Sequence, residues 1–189
     1  MTLEHNLPVN WKTYVDNYQE GYHVKAVHPS LDQAISFKDY QVYTYDSFCH
    51  HYVPPRNPKP DELKPDFVKP KFLWIYKYPN LMLNIYENSM SVERVIPINK
   101  NNTKIAISYC FPEMKYDAAT GKPVLSTEQA DAIALSKVVV QEDLEICVQV
   151  QKNLETGVYH KGRISPSMEN GIFFFHEKVR RSMQQEQVN

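Results

Sequence analysis

Four runs between residues 71 and 111 do most to limit what this chain can become: FLWIYKY, LMLNIYE, MSVERVIPI and TKIAISYCF. Their β-branched and aromatic side chains fit a pleated, half-buried surface. Turn signals separate them at Tyr78-Pro79-Asn80, at Glu87-Asn88-Ser89 and from Asn99 to Asn102. Such short connections predict a four-stranded antiparallel meander. Residues 39–53, where Tyr40, Val42 and Tyr45 alternate with polar neighbours, predict one or two more strands. A long helix is expected over 126–154. Ser126 and Gln129 form a capping box at its start, and Gly157 lies just past its end. An antiparallel sheet with a long helix is an α+β fold. At 189 residues a single domain, 1–189, is large enough to bury a core. Residues 54–70 hold six of the 13 prolines, so they read as an extended surface loop.

The helix pattern also carries a charge where apolar residues belong. Ser136, Val139, Asp143, Cys147, Val150 and Leu154 form one stripe, which puts the Asp143 carboxylate on the buried face. Glu142 and Glu145 fall off that stripe. A buried carboxylate needs a partner or a metal. An arginine such as Arg163 is one candidate partner; a pair of histidines holding a metal is another.

That pair stands near the N-terminus, in NWKTYVDNYQEGYHVKAVHPS, residues 10–30. Trp11, Tyr14, Val15, Tyr18 and Tyr22 recur at helical spacing and make an apolar face. Asn17, Glu20 and His23 step along a neighbouring strip. On an unbroken helix His23 and His28 would diverge by about 140° and could not share a metal. Gly21 and Pro29 allow the helix to loosen or end near residues 22–27, or to carry a wide turn, and so bring both rings to one point. Two imidazoles and one carboxylate form a facial triad with open positions, which suits ferrous iron and O2. By itself an H-x4-H pair is equally two ordinary histidines. Cys49-His50-His51 is a weaker metal candidate, because adjacent strand residues point to opposite faces.

The whole N-terminal string resembles the iron-binding helix of Rieske non-haem iron oxygenases, in the large subunit of the ring-hydroxylating type. Within that family it resembles the choline, carnitine and glycine-betaine monooxygenase branch. W-x4-P-N at Trp74 to Asn80, QEDLEICVQVQ around Asp143 and GRISPSMENGIFFFHEKVR near the C-terminus extend the resemblance over nearly the whole chain.

The resemblance implies a helix-grip fold, a curved antiparallel sheet packed on the long C-terminal helix. It implies that His23, His28 and Asp143 bind mononuclear Fe(II). Glu20 would link the iron electronically to a Rieske [2Fe-2S] cluster, facing outward to a neighbouring subunit of a homo-oligomer, a trimer in this family. Asn17 and Tyr22 would orient the ligands, and Asn84 and Tyr86 would line the substrate cavity. Glu169 and His176 would support the fold or the site. The implied activity is O2-dependent hydroxylation or oxidative demethylation of a small organic molecule, a quaternary ammonium or an aromatic. A Rieske cluster needs two Cys and two His, as C-x-H and C-x2-H pairs in this family, and the chain does not carry both pairs. Nor has it a G-x-G-x-x-G stretch for a nicotinamide or flavin. The chain is therefore expected to be the catalytic half, inactive alone and supplied with electrons by a Rieske domain or reductase. The alternative is a non-catalytic ligand-binding module of the same fold. A hydrolytic zinc site is a third reading, which the flanking strings disfavour.

The formal net charge of −1 offers no footprint for nucleic acid. There is no apolar run of membrane-spanning length, and MTLEHNLPVN has no signal-peptide pattern. Three cysteines without CxxC pairing fit a reducing cytoplasm.

Overall fold

A computed structural model describes residues 1–57, 59–60 and 72–186. The expected meander is present as β4 (Phe72–Lys77), β5 (Leu81–Tyr86), β6 (Ser89–Asn99) and β7 (Asn102–Cys110), each antiparallel to the next. Residues 39–53 supply β2 (Gln41–Thr44) and β3 (Phe48–Tyr52), which extend the sheet from β4. The other edge is closed by β1 (Thr2–Leu7), a strand the sequence reading did not identify. It alternates exposed Thr2, Glu4 and Asn6 with more buried Leu3, His5 and Leu7 along β7. The result is one seven-stranded antiparallel sheet, ordered β1-β7-β6-β5-β4-β3-β2. Most of the Pro-rich loop read at 54–70 lies outside the described residues.

Helices α1 (Trp11–Tyr18), α4 (Thr127–Glu155) and α5 (Asn170–Glu186) share a core with the sheet. Leu7, Val15, Tyr76, Met82, Val95, Ile105, Ile107, Ile133, Val140, Cys147 and Phe175 are all buried in it. The long helix starts as expected, with Ser126 and Gln129 capping each other reciprocally. It is not the last element, since α5 follows it. Its buried stripe runs through Ile133, Val140, Leu144 and Cys147. Val150 and Leu154, expected on that stripe, are 41% and 42% exposed. Near its end α4 instead meets the start of α1 by hydrogen bonds. Gln151 Oε1 accepts from Asn10 N–H at 3.2 Å and from the Thr13 hydroxyl at 2.7 Å.

Helix α1 begins at Asn10, whose side chain accepts from Lys12 N–H. It stops at Gln19, earlier than the loosening expected near residues 22–27. Two short helices follow, α2 (Val24–Val27) and α3 (Pro29–Ala34). Two glycines fix this break by close approach. A Cβ on Gly171, at the start of α5, would stand 2.4 Å from the Gln19 carbonyl oxygen. A Cβ on Gly21 would stand 2.6 Å from the Tyr40 ring. His28 sits between α2 and α3 with φ −118° and ψ 76°, outside the helical region, as a residue before proline should be. Among the described residues no helix is long and apolar enough to cross a membrane.

Candidate metal centre

The break after α1 and the kink at His28 turn two imidazoles towards α4. Donor atoms of His23, His28 and Asp143 all lie within 4.8 Å of one another. His28 Nε2 is 3.0 Å from Asp143 Oδ1, and His23 Nε2 is 3.5 Å from the same oxygen. The divergence that an unbroken helix would impose is therefore removed by two departures from helical geometry, at residues 19–23 and at 28.

The outer nitrogens of both rings are tied down. His23 Nδ1 lies 2.5 Å from Glu20 Oε1, and His28 Nδ1 lies 2.7 Å from Glu142 Oε2. An imidazole that donates Nδ1–H to a carboxylate turns a lone pair on Nε2 to the other side. Both Nε2 atoms then face Asp143, donating to it when the rings are protonated and offering lone pairs to a metal when they are neutral. Asn17 Nδ2 donates to Asp143 Oδ1 at 2.6 Å and holds that side chain in place.

Burial pulls the His23 imidazole down, but its bonds to Asp143 and Glu20 outweigh that and hold it at about 9. His28 is likewise raised, against burial, by Asp143 and Glu142. Asp143 is pushed up by burial and pulled further down by both histidines, to about 2. Three carboxylates around two imidazoles make a strongly cation-seeking cluster. Two imidazole nitrogens and one carboxylate oxygen also fit ferrous iron and related divalent metals. Among the described residues this is the single cluster of three or more His, Cys, Asp or Glu with converging donors.

A cavity of about 350 Å³ opens beside the cluster. Tyr14, Tyr18, Phe72, Trp74, Asn84 and Tyr86 form much of its wall, together with Glu93. A volume of this order suits a small molecule.

The structure brings Asn17, Glu20, His23, His28 and Asp143 together, and puts Asn84 and Tyr86 on the cavity wall. Tyr22 is elsewhere. It is 43% exposed and donates its hydroxyl to Glu169 at 2.7 Å, because the chain has turned at Gly21 and the ring no longer follows the α1 face. Glu20 does not face outward as expected. It is buried, with Oε1 on the His23 ring and Oε2 accepting His23 N–H at 3.1 Å, a local clamp made possible by the same turn. Asp143 is bonded to His28 and Asn17 and sits beside His23; Arg163 is not among its described partners.

Glu169 also accepts Ser165 N–H, and His176 lies 2.8 Å from Asp16, so both brace the chain around α1 and α5. Cys49, His50 and His51 split across the strand as expected. The Cys49 thiol donates to Gln19 at 2.9 Å, the Tyr40 hydroxyl meets His51 Nδ1, and His50 stacks on Tyr43.

Two acidic residues escaped the sequence reading. Glu142 was placed off the buried stripe, yet one imidazole bridges it and its neighbour Asp143. Adjacent helix residues diverge by about 100°, and the two nitrogens of His28 reach to both. Glu93 stands within the run MSVERVIPI, where the sequence alone does not single it out. Its signal is a charge in phase with buried Ser91 and Val95 along β6.

The sequence matches the family described as ring hydroxylating alpha subunit (catalytic domain) over residues 2–185. It is 29% identical to the chloroplastic choline monooxygenase of Arabidopsis thaliana over 175 residues, 92% of this chain and 39% of that protein. It is 29% identical over 183 residues to the carnitine monooxygenase oxygenase subunit of Acinetobacter baumannii, covering 91% of this chain and 47% of that one. The fold superimposes on a solved quaternary ammonium Rieske monooxygenase, studied for carnitine oxidation and inter-subunit electron transfer, with a TM-score of 0.77 and 25% identity. That match covers 96% of this chain and 49% of the other. The chain thus spans less than half the length of each of these proteins.

Proposed function

The chain belongs to the catalytic-domain family of ring-hydroxylating alpha subunits, and from that membership we propose that it carries out O2-dependent oxidation of a small organic molecule at mononuclear Fe(II). His23, His28 and Asp143 are the proposed ligands. The observation that carries this reading is the convergence of two anchored imidazole Nε2 atoms and one carboxylate oxygen at the wall of an aromatic cavity. When bound, ferrous iron with three protein ligands supplies open positions for activating O2.

The other parts of the site are read from this chain's residues. Glu20 and Glu142 hold the two rings with Nε2 inward, and Asn17 holds the Asp143 carboxylate. The aromatic wall excludes water and presents the substrate beside the ligands without ligating it. Glu20, on the outer nitrogen of His23, is the proposed path by which electrons arrive. They come from a Rieske [2Fe-2S] cluster outside these 189 residues, carried by another domain or by a neighbouring subunit of a homo-oligomer. The cysteines are free thiols, in keeping with a cytoplasmic setting.

Anaerobic loading with ferrous iron, followed by desalting and metal analysis, tests the reading. About one iron per chain is expected for a single facial triad, and a non-catalytic binding module has no reason to retain it. Iron that stays bound in a variant lacking Asp143 overturns the ligand assignment. Product formation on adding a Rieske protein and reductase, and none without them, completes the test.

A further inference from the structure

Glu93 lies on the inward face of β6 and is 6% exposed, with its carboxylate at the cavity. Its hydrogen-bond donors are neutral. The Tyr14 hydroxyl donates to Oε2 at 2.9 Å and Asn84 Nδ2 donates to Oε1 at 2.6 Å. Asn84 is itself held, donating to Ser91 Oγ at 3.0 Å and accepting from the Tyr18 hydroxyl at 3.0 Å. Its amide is thus fixed with N–H towards Glu93, so the carboxylate is positioned before any ligand enters.

These donors orient the charge without neutralising it. Among the described lining residues there is no lysine or arginine, and the imidazoles of His23 and His28 are paired with Glu20, Glu142 and Asp143 at the other end of the cavity. The phenols whose fields reach Glu93, on Tyr14, Tyr18, Tyr86 and Tyr109, are all raised by burial and stay neutral. The charge that reaches it is Asp143, of like sign. Burial, with Asp143 adding to it, pushes Glu93 up to about 7 against the pull of Tyr14 and Asn84. A buried carboxylate in this state gains most from a positive partner. It has about four lone-pair sites, of which two are used. The side chains of Tyr14, Tyr18, Phe72, Trp74 and Tyr86 line the same cavity, and aromatic faces attract cations by their quadrupoles.

We propose that Glu93 binds the positively charged end of the substrate and makes the cavity selective for small organic ammonium ions over neutral molecules of the same shape. This rests on the cavity being the substrate pocket of the proposed oxygenase. It adds a binding residue and rules out an uncharged aromatic as the preferred ligand. An anionic group placed at this end of the cavity would meet the Glu93 carboxylate as a like charge.

The test uses matched pairs that differ in charge: choline against 3,3-dimethylbutan-1-ol, and putrescine against 1,4-butanediol. Binding is measured by calorimetry on the wild-type chain and on Glu93→Gln and Glu93→Asp. The wild type should bind at least one cation more tightly than its neutral partner. Glu93→Gln should weaken the cation by roughly 30-fold, as for one partner of a buried charge pair, and leave the neutral partner unchanged. Glu93→Asp should keep part of the preference. Equal binding within each pair, no binding of either cation, or a preference that survives Glu93→Gln overturns the proposal. Bound iron, assayed separately, distinguishes this failure from failure of the oxygenase reading. If the wild type holds iron but shows no charge preference, Glu93 is wrong and the metal site stands. If it shows the preference but holds no iron, the reverse is true.

Discussion

Asp143 and Glu93 are two carboxylates on one cavity, both withdrawn from water, and their proton affinities move in opposite directions. Asp143 is held at about 2, and Glu93 is pushed up to about 7. Burial raises both. The sign is decided by the neighbours. Asp143 faces two imidazoles that can carry positive charge, whereas Glu93 faces a phenol and an amide that cannot. The metal end is a cation site with its donors assembled and braced from behind. The Glu93 end is an oriented negative charge still lacking its counter-ion.

The contrast is broken most sharply at Asp143. Asp143→Ala removes the oxygen shared by both Nε2 atoms and leaves two imidazoles. Iron retention after desalting should fall to background, while Glu93→Gln should retain iron at the wild-type level. Metal analysis of the two proteins side by side checks this.

The next largest effect is on stability. The ordinary value for Glu93 is 4.5, and the folded value is about 7. The folded protein therefore holds the proton more tightly than the unfolded chain. This favours folding fully below about 4.5 and is lost as pH rises through about 7. At about 1.4 kcal/mol per tenfold change in proton affinity, the buried charge costs roughly 3 kcal/mol at pH 8. Gln carries no charge and can keep both hydrogen-bond partners. Glu93→Gln should thus be the more stable protein at pH 8, by up to that amount, with the difference vanishing near pH 4. Urea unfolding at the two pH values measures it. A mutant no more stable at pH 8 would show that Glu93 is already compensated.

The two carboxylates were unequally legible in the sequence. Asp143 could be read because it interrupts a helical stripe, where period 3.6 tells inside from outside over several turns. Glu93 could not. In MSVERVIPI, Met90 and Val92 suggest that the even positions face inward, yet Ser91, Glu93 and Val95 are the buried ones. A strand with apolar residues on both faces hides its phase, and one residue of phase is the whole difference between surface and cavity. The histidines were legible as ligands, but the means of bringing them together was only partly so. The Gly21 turn and the effect of Pro29 on His28 are local. The early stop at Gln19 depends on α5 pressing Gly171 against its carbonyl, a contact 152 residues away that no local pattern shows. The sheet meander was readable because its strands are adjacent in sequence. Strand β1 pairs with β7 across about a hundred residues and left only a short alternation as its signature.

Glu142 sharpens the metal side of the contrast. If its role is to hold His28 with Nε2 inward, Glu142→Gln should weaken iron binding by about 10–100-fold, the usual effect of removing a partner behind a metal-bound imidazole. The fold should be unaffected, because Glu142 is half-buried at the edge of the cluster. Competition with a chelator of known affinity gives the ratio. An unchanged ratio would mean that Asp143 and packing alone orient the ring.

Tyr14 gives the smallest and most specific change. Its hydroxyl donates to Glu93 and is buried with it. A hydrogen bond to a charged group contributes about 1.5–3 kcal/mol, against about 0.5–1.5 for a neutral pair. Removing it in Tyr14→Phe should therefore cost more when Glu93 is ionised than when it is protonated. The mutant should lose about 1 kcal/mol more stability at pH 8 than at pH 5 by that difference. The Glu93 proton affinity rises further in this mutant, because a donor that favours the charged form is gone. Cavity formation cannot mimic the effect, since the loss of one oxygen is the same at both pH values. In a Glu93→Gln background the extra cost at pH 8 should disappear, because no ionised group remains for the phenol to stabilise. A double-mutant cycle at the two pH values reads this directly. If the pH-dependent part of the Tyr14→Phe penalty persists with Gln at position 93, the phenol acts on some other charge, and the account of Glu93 as the titrating carboxylate fails.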